Sequence, residues 1–142
     1  MTAAFVNLHT HSHYSILEAP FAPKAILEKA KEMGHGKVAI TDRGNGHGLV
    51  EIVMQAKKVG DIEPILGVEL AVSLDGRFEK RAGMDGKEGY IVLLAQNQKG
   101  YENLLALISK AHLEGFYYQP RVDLELLREH SEGLYVLTGA RL

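Results

Sequence analysis

Cysteine is absent from the 142-residue chain, which excludes disulfides and thiolate metal sites and leaves histidine and carboxylate as the available metal ligands. An excess of positive charge is missing too. Sixteen Lys and Arg against 18 Asp and Glu give a net charge of -2, so no global cationic field holds nucleic acid nonspecifically. Any contact with DNA must be local or supplied by other domains. No stretch approaches the roughly 18 apolar residues of a membrane span, and the opening Met1-Thr2-Ala3-Ala4-Phe5 lacks the basic and apolar regions of a targeting segment. Low-complexity segments and internal repeats are also lacking. These absences predict a soluble cytoplasmic protein with no membrane partner. What remains is 46% hydrophobic and 24% charged, the proportions of one ordinary domain with a single core.

Hydrophobic periodicity divides the chain into alternating strands and helices. Phe5 to Leu8 is strand-like, and Ala25, Ile26, Lys29, Ala30 and Met33 recur at helical spacing between Pro23 and Gly34. Lys37 to Thr41 predicts a second strand, Leu49 to Val59 a helix ending at Gly60, and Pro64 to Val72 a third strand. The polar, glycine-rich stretch from Asp75 to Gly89 predicts a loop. It precedes a strand over Tyr90 to Ala95 and a helix over Tyr101 to Glu114. A short helix, Leu124 to Glu129, with Asp123 as its N-cap, leads to a fifth strand, Leu134 to Thr138. Alternation over short connections predicts an α/β fold of about five parallel βα units. A closed eight-unit barrel takes roughly 250 residues, so the expectation is a partial, truncated barrel. Its open edge suits a fragment, an engineered piece or a homo-oligomer.

Parallel βα folds carry function at the C-terminal ends of strands. His9 and His11 fall there, as do Asp42 and Arg43, and Glu69 lies late in the third strand. Residues two apart on an extended chain share a face about 6.6 Å apart, so His9 and His11 can converge on one ion. Imidazole suits zinc, manganese or iron, and carboxylates such as Glu18 and Glu69 would favour a hydrolytic centre over a structural one. Spacing alone does not separate a ligating His pair from a solvated one; strand-end placement favours ligation. Glu69 alone suggests a salt-bridge partner and Glu18 a loop carboxylate. His112 suggests a helix-end histidine facing the dipole, while His13, His35 and His130 carry no signal. Phe116-Tyr117-Tyr118 with Arg121 suggests base stacking, but a loop packed on the barrel rim is the preferred expectation.

The run Phe5-Val6-Asn7-Leu8-His9-Thr10-His11-Ser12-His13-Tyr14-Ser15, with Ala39-Ile40-Thr41-Asp42, resembles the polymerase and histidinol phosphatase (PHP) superfamily. One branch, the alpha subunits of bacterial DNA polymerase III, is resembled over nearly the whole chain. Its motifs include Pro64-Ile65-Leu66-Gly67-Val68-Glu69, Gly100-Tyr101-Glu102-Asn103-Leu104 and Ala111-His112-Leu113-Glu114-Gly115-Phe116. The resemblance implies a distorted, TIM-like βα barrel of PHP type, of which the chain is the N-terminal portion. It implies metal-ligand positions at His9, His11, Glu18, Glu69 and His112. Arg43, Tyr90 and Ala140 depart from the pattern, standing where histidine, histidine and cysteine are usual, and the final ligand pair is absent.

A guanidinium cannot ligate a metal. Arg43 is therefore expected to pair with Glu69 or Glu18 where an ion would sit, with His47 as an alternative ligand. The resemblance implies a module of a replicative DNA polymerase, either a metal-dependent 3′–5′ exonuclease or, with an eroded site, a scaffold that docks a separate proofreading exonuclease subunit. Erosion favours the scaffold. Zinc or manganese would be bound in part or not at all, with DNA contacted only indirectly through the remainder of the alpha subunit. A stand-alone phosphoesterase and an inactive barrel fragment are the alternatives.

Overall fold

The structure, a computed structural model, describes residues 5–81 and 88–138. Ala140 and part of the expected loop between Asp75 and Gly89 lie outside the described residues. The elements run α1 (Pro23–Glu32), β1 (Lys37–Ile40), α2 (Gly48–Val59), β2 (Glu63–Val72), β3 (Gly89–Ala95), α3 (Gln98–Leu113), β4 (Arg121–Val122), α4 (Leu124–Glu129) and β5 (Leu134–Thr138). Pro23 opens α1, where its missing N–H costs nothing, and Gly34, at φ +79°, turns the chain out of it. Helix α3 starts three residues before its apolar pattern does. Asn97 caps it by accepting from the Gly100 N–H at 2.9 Å. Asp123 caps α4 in the same way, through the Leu126 N–H at 2.9 Å.

The sheet runs β1-β2-β3-β5, with β4 also on β2. Among the named strands the β1–β2 and β2–β4 pairings are parallel, and β3 is antiparallel to both β2 and β5. The α/β barrel-like architecture holds, but the expectation of uniformly parallel βα units does not. Among the described residues no helix lies between β2 and β3, and an antiparallel pair, unlike a parallel one, needs no helical crossover. The short strand β4 was not expected from the sequence. Two residues are too few to show periodicity.

The ten-residue β2 organises the fold. One edge carries β3; the opposite edge carries β1, then Arg43 opposite Glu69, then β4. Val68, Leu70, Val72 and Leu93 bury one face of the sheet against Leu104, Leu107 and Ala111 of α3 and Leu126 of α4. Leu27 and Ala30 of α1 and Ile52 and Ala56 of α2 cover the same face at β1. The other face holds a smaller buried group, Ala39, Val92 and Leu94. Glu69 lies on it opposite Val92, and Tyr90 lies opposite Ala71.

The expected first strand is reduced to a single bridge, Asn7 to Val38. The Ala39 N–H donates to the Asn7 carbonyl at 2.9 Å and the Thr41 N–H to the Thr10 carbonyl at 2.8 Å. Three residues thus advance against two, which is a bulge. The extra residue brings both His9 and His11 to the face that carries Glu69. Arg121 is wholly buried and donates to the carbonyls of Gly115 at 3.0 Å and Glu79 at 2.7 Å. Arg121 thus ties the adjoining loops together, while Phe116 and Tyr118 of the run expected to pack on the rim are 48% and 75% exposed.

Candidate metal centre

Glu69 is 1% exposed, placed by β2 at the point where β1 gives way to Arg43 along its edge. Its Oε2 accepts from His11 Nε2 at 2.9 Å, and its Oε1 lies 3.4 Å from His9 Nε2. The two imidazoles meet edge to face, 5.2 Å apart. Each of the three residues offers a ligand atom within 4.8 Å of the others, a spacing that can hold a metal ion. It is the only such group among the described residues.

A cation already occupies part of this arrangement. Arg43 Nε donates to Glu69 Oε2 at 3.0 Å and its Nη1 lies 2.8 Å from Glu18 Oε1. Glu18 in turn reaches His11 Nδ1 at 3.2 Å. The guanidinium also sits over the Tyr90 ring, 4.7 Å from its centre. His9, His11 and Glu69 therefore fit one ion, while a cluster using both oxygens of Glu69 and Glu18 would have to displace Arg43.

Protonation follows the same contacts. Burial alone would raise the Glu69 carboxyl, but hydrogen bonds from His11 and Arg43, and the nearby charges of Arg43 and His9, hold it at about 2. The hydrogen bond to Glu69 raises His11 above its ordinary value against the opposing effect of burial, with Glu18 adding to the rise. The pair is thus biased toward imidazolium and carboxylate, two charges balanced within the site.

Asp42 builds the loop that carries these ligands, a role its motif did not disclose. It is 1% exposed and accepts from the Ser12 N–H at 2.7 Å, the Ser12 hydroxyl at 2.8 Å and the Ser15 hydroxyl at 2.7 Å. Ser15 Oγ accepts in turn from the Arg43 N–H at 3.0 Å. The only sequence sign was the cluster of small hydroxyl residues after His11.

Two predicted residues lie apart. His112 Nε2 is hydrogen-bonded to the Gly44 carbonyl at 2.7 Å and stands outside the three-residue group. His47 is exposed at the start of α2, its ring 6.2 Å from that of Tyr14. Beside the centre opens a cavity of about 470 Å³, lined in part by Tyr14, Glu18, Arg43, Asn45 and Gln119. Among the described residues no helix is long and apolar enough to cross a membrane.

A family model described as the PHP domain matches residues 7–142. The chain is 44% identical over 131 residues to DNA polymerase III subunit alpha of Borreliella burgdorferi, spanning 92% of this chain and 11% of that protein. It is 41% identical over 137 residues to the Treponema pallidum subunit, spanning 96% and 12%. The Thermus aquaticus subunit is 40% identical over 139 residues, with spans of 95% and 11%. The chain thus matches about a ninth of these relatives' length. Among solved structures, an amidohydrolase from Chromobacterium violaceum with bound sulfate and no metal superposes with a TM-score of 0.55 at 24% identity. That likeness spans 78% of this chain and 34% of the other, and concerns the fold alone. Matched by the family model from Asn7 to its last residue, the chain belongs to the PHP domain family.

Proposed function

We propose that the chain is the PHP module of a replicative DNA polymerase III alpha subunit, acting as a structural and docking element with a reduced metal site. The reading rests on one observation, the Arg43 guanidinium bridging Glu69 and Glu18 beside His9 and His11. Arg43 and a protonated His11 balance the two carboxylates, so no divalent ion is needed to neutralise them. Polymerisation belongs to the remainder of the subunit, which in this reading is the first partner. A separate proofreading exonuclease subunit is the second, and DNA is reached through them.

The alternative, a metal-dependent phosphoesterase acting on a DNA 3′ end or a phosphate monoester, draws on the mutual reach of His9, His11 and Glu69. Those residues would hold a zinc or manganese ion, whose chemistry would be Lewis-acid activation of water and phosphate. The experiment is elemental analysis after purification without added metal, together with an exonuclease assay. The scaffold reading expects at most one ion per chain and no chelator-sensitive cleavage. Two or more tightly held ions, with cleavage abolished by His9→Ala, would establish the phosphoesterase instead.

A further inference from the structure

Arg43 can oppose a metal only while its guanidinium stays where it lies, held at Nε by the buried Glu69 and at Nη1 by Glu18. Glu18 is a loop residue about one-third exposed, and an ion pair to such a group holds a long side chain weakly. The remaining support is Tyr90, at the start of β3. Glu69 lies opposite Val92 and Ala71 opposite Tyr90, so the Tyr90 ring rises from the same face as the Glu69 carboxylate, one pleat further along. The Arg43 guanidinium lies over that ring at 4.7 Å. The Tyr90 hydroxyl donates to Gln119 Oε1 at 2.9 Å, which anchors the ring from its far end to the segment lining the cavity.

We propose that Tyr90 is a positioning residue for Arg43, and that the two side chains form a coupled unit holding a permanent cation against Glu69 and lowering the site's affinity for divalent metal. The inference rests on the reading that Arg43 opposes metal binding. It adds that a residue outside the group His9, His11 and Glu69 helps set that group's affinity. The face of the ring attracts the guanidinium, whereas the hydroxyl holds the ring; removing each has a distinct effect.

The test is a double-mutant cycle read by calorimetric titration of chelator-stripped protein with zinc and, separately, manganese. Thermal melts of each variant in chelator establish folding. Arg43→Gln raises metal affinity. Tyr90→Leu, which removes the ring face, raises it roughly five- to thirtyfold, the equivalent of one cation–π contact. Tyr90→Phe keeps the face and changes affinity less than Tyr90→Leu does. In the Arg43→Gln background Tyr90→Leu adds nothing. A full Tyr90→Leu effect in that background, or none in the wild-type background while Arg43→Gln alone raises affinity, overturns the coupling. Were Tyr90→Leu not to fold, Tyr90→Met, which keeps bulk without a π face, takes its place. No gain from Arg43→Gln overturns the underlying reading of Arg43, so the two failures are distinguishable.

Discussion

Arg43 and Glu69 are joined through backbone and side chain at once. The Glu69 N–H donates to the Asp42 carbonyl at 3.0 Å, the Gly44 N–H donates to the Glu69 carbonyl at 2.8 Å, and Arg43 Nε closes the ring on Glu69 Oε2 at 3.0 Å. The parallel bridge sets the side chains beside each other before any rotamer is chosen. Replacing Arg43 therefore leaves a fixed buried carboxylate with His11 as its main hydrogen-bonded partner. Arg43→Gln should destabilise the metal-stripped protein by about 1–2 kcal/mol, less than for a fully buried pair because Arg43 is partly exposed. Added zinc should recover the loss. Thermal melts with and without zinc check this, and a variant as stable as wild type without metal would count against the pairing.

The His11–Glu69 pair sets a pH window. Glu69 is held at about 2 against an ordinary 4.5, so its contribution is complete above about 4.5 and is lost as pH falls toward about 2. His11 is raised above 6.5, so its contribution is complete below 6.5 and is lost as pH rises through the raised value. Metal-stripped protein should therefore show its greatest contribution from this pair between about pH 4.5 and pH 6.5. Glu69→Gln should flatten both flanks, since Glu69 is also the main cause of the His11 shift. Melting temperature measured across pH for both proteins decides it. Parallel curves would show that the pair does not carry the dependence.

Asp42 should matter although it stands outside the group His9, His11 and Glu69. Asp42→Ala leaves the Ser12 N–H and two hydroxyls without their acceptor in a buried position. The expected cost is about 2–4 kcal/mol. Asp42→Asn keeps the shape but donates where it should accept, and should lower zinc affinity roughly tenfold, the usual effect of disturbing a residue that orients ligands. Denaturant melts and zinc titration test the two parts separately. An Asn variant with wild-type affinity would mean that the loop holds itself.

Much of this arrangement was legible in the sequence where one residue type had one physical meaning. Pro23 and Gly60 mark helix boundaries, and the apolar period set α1, α2 and α3 to within a few residues. Strand direction was not legible. A polar loop between Val72 and Tyr90 is as compatible with a crossover as with the reversal found. The bulge between Asn7 and Thr10 was hidden as well, because it lies in hydrogen-bond register and not in residue type. His9 and His11 were placed on a common face by two-residue spacing, yet the bulge is what brings both to Glu69. His112 shows the opposite case. Its ring is committed to the Gly44 carbonyl, a contact 68 residues away that no local pattern encodes.

Gly67 tests how tightly the site is clamped by the sheet. A Cβ there would lie 2.5 Å from the Leu93 carbonyl oxygen, 2.7 Å from Leu94 Cδ2 and 2.9 Å from Thr41 Cγ2. The first of these is backbone of the neighbouring strand and cannot rotate away, so β2 and β3 must separate. Gly67→Ala should cost about 1–3 kcal/mol. Glu69 stands two residues along the same face, so the separation should also reach the metal centre and lower zinc affinity. By contrast, Gly36→Ala meets nothing within 4 Å and should leave both quantities unchanged. Denaturant melts and zinc titrations on the two variants provide the comparison. Equal behaviour would show that β2 yields to the added methyl without disturbing Glu69, and that the centre is held by the Asp42 loop alone.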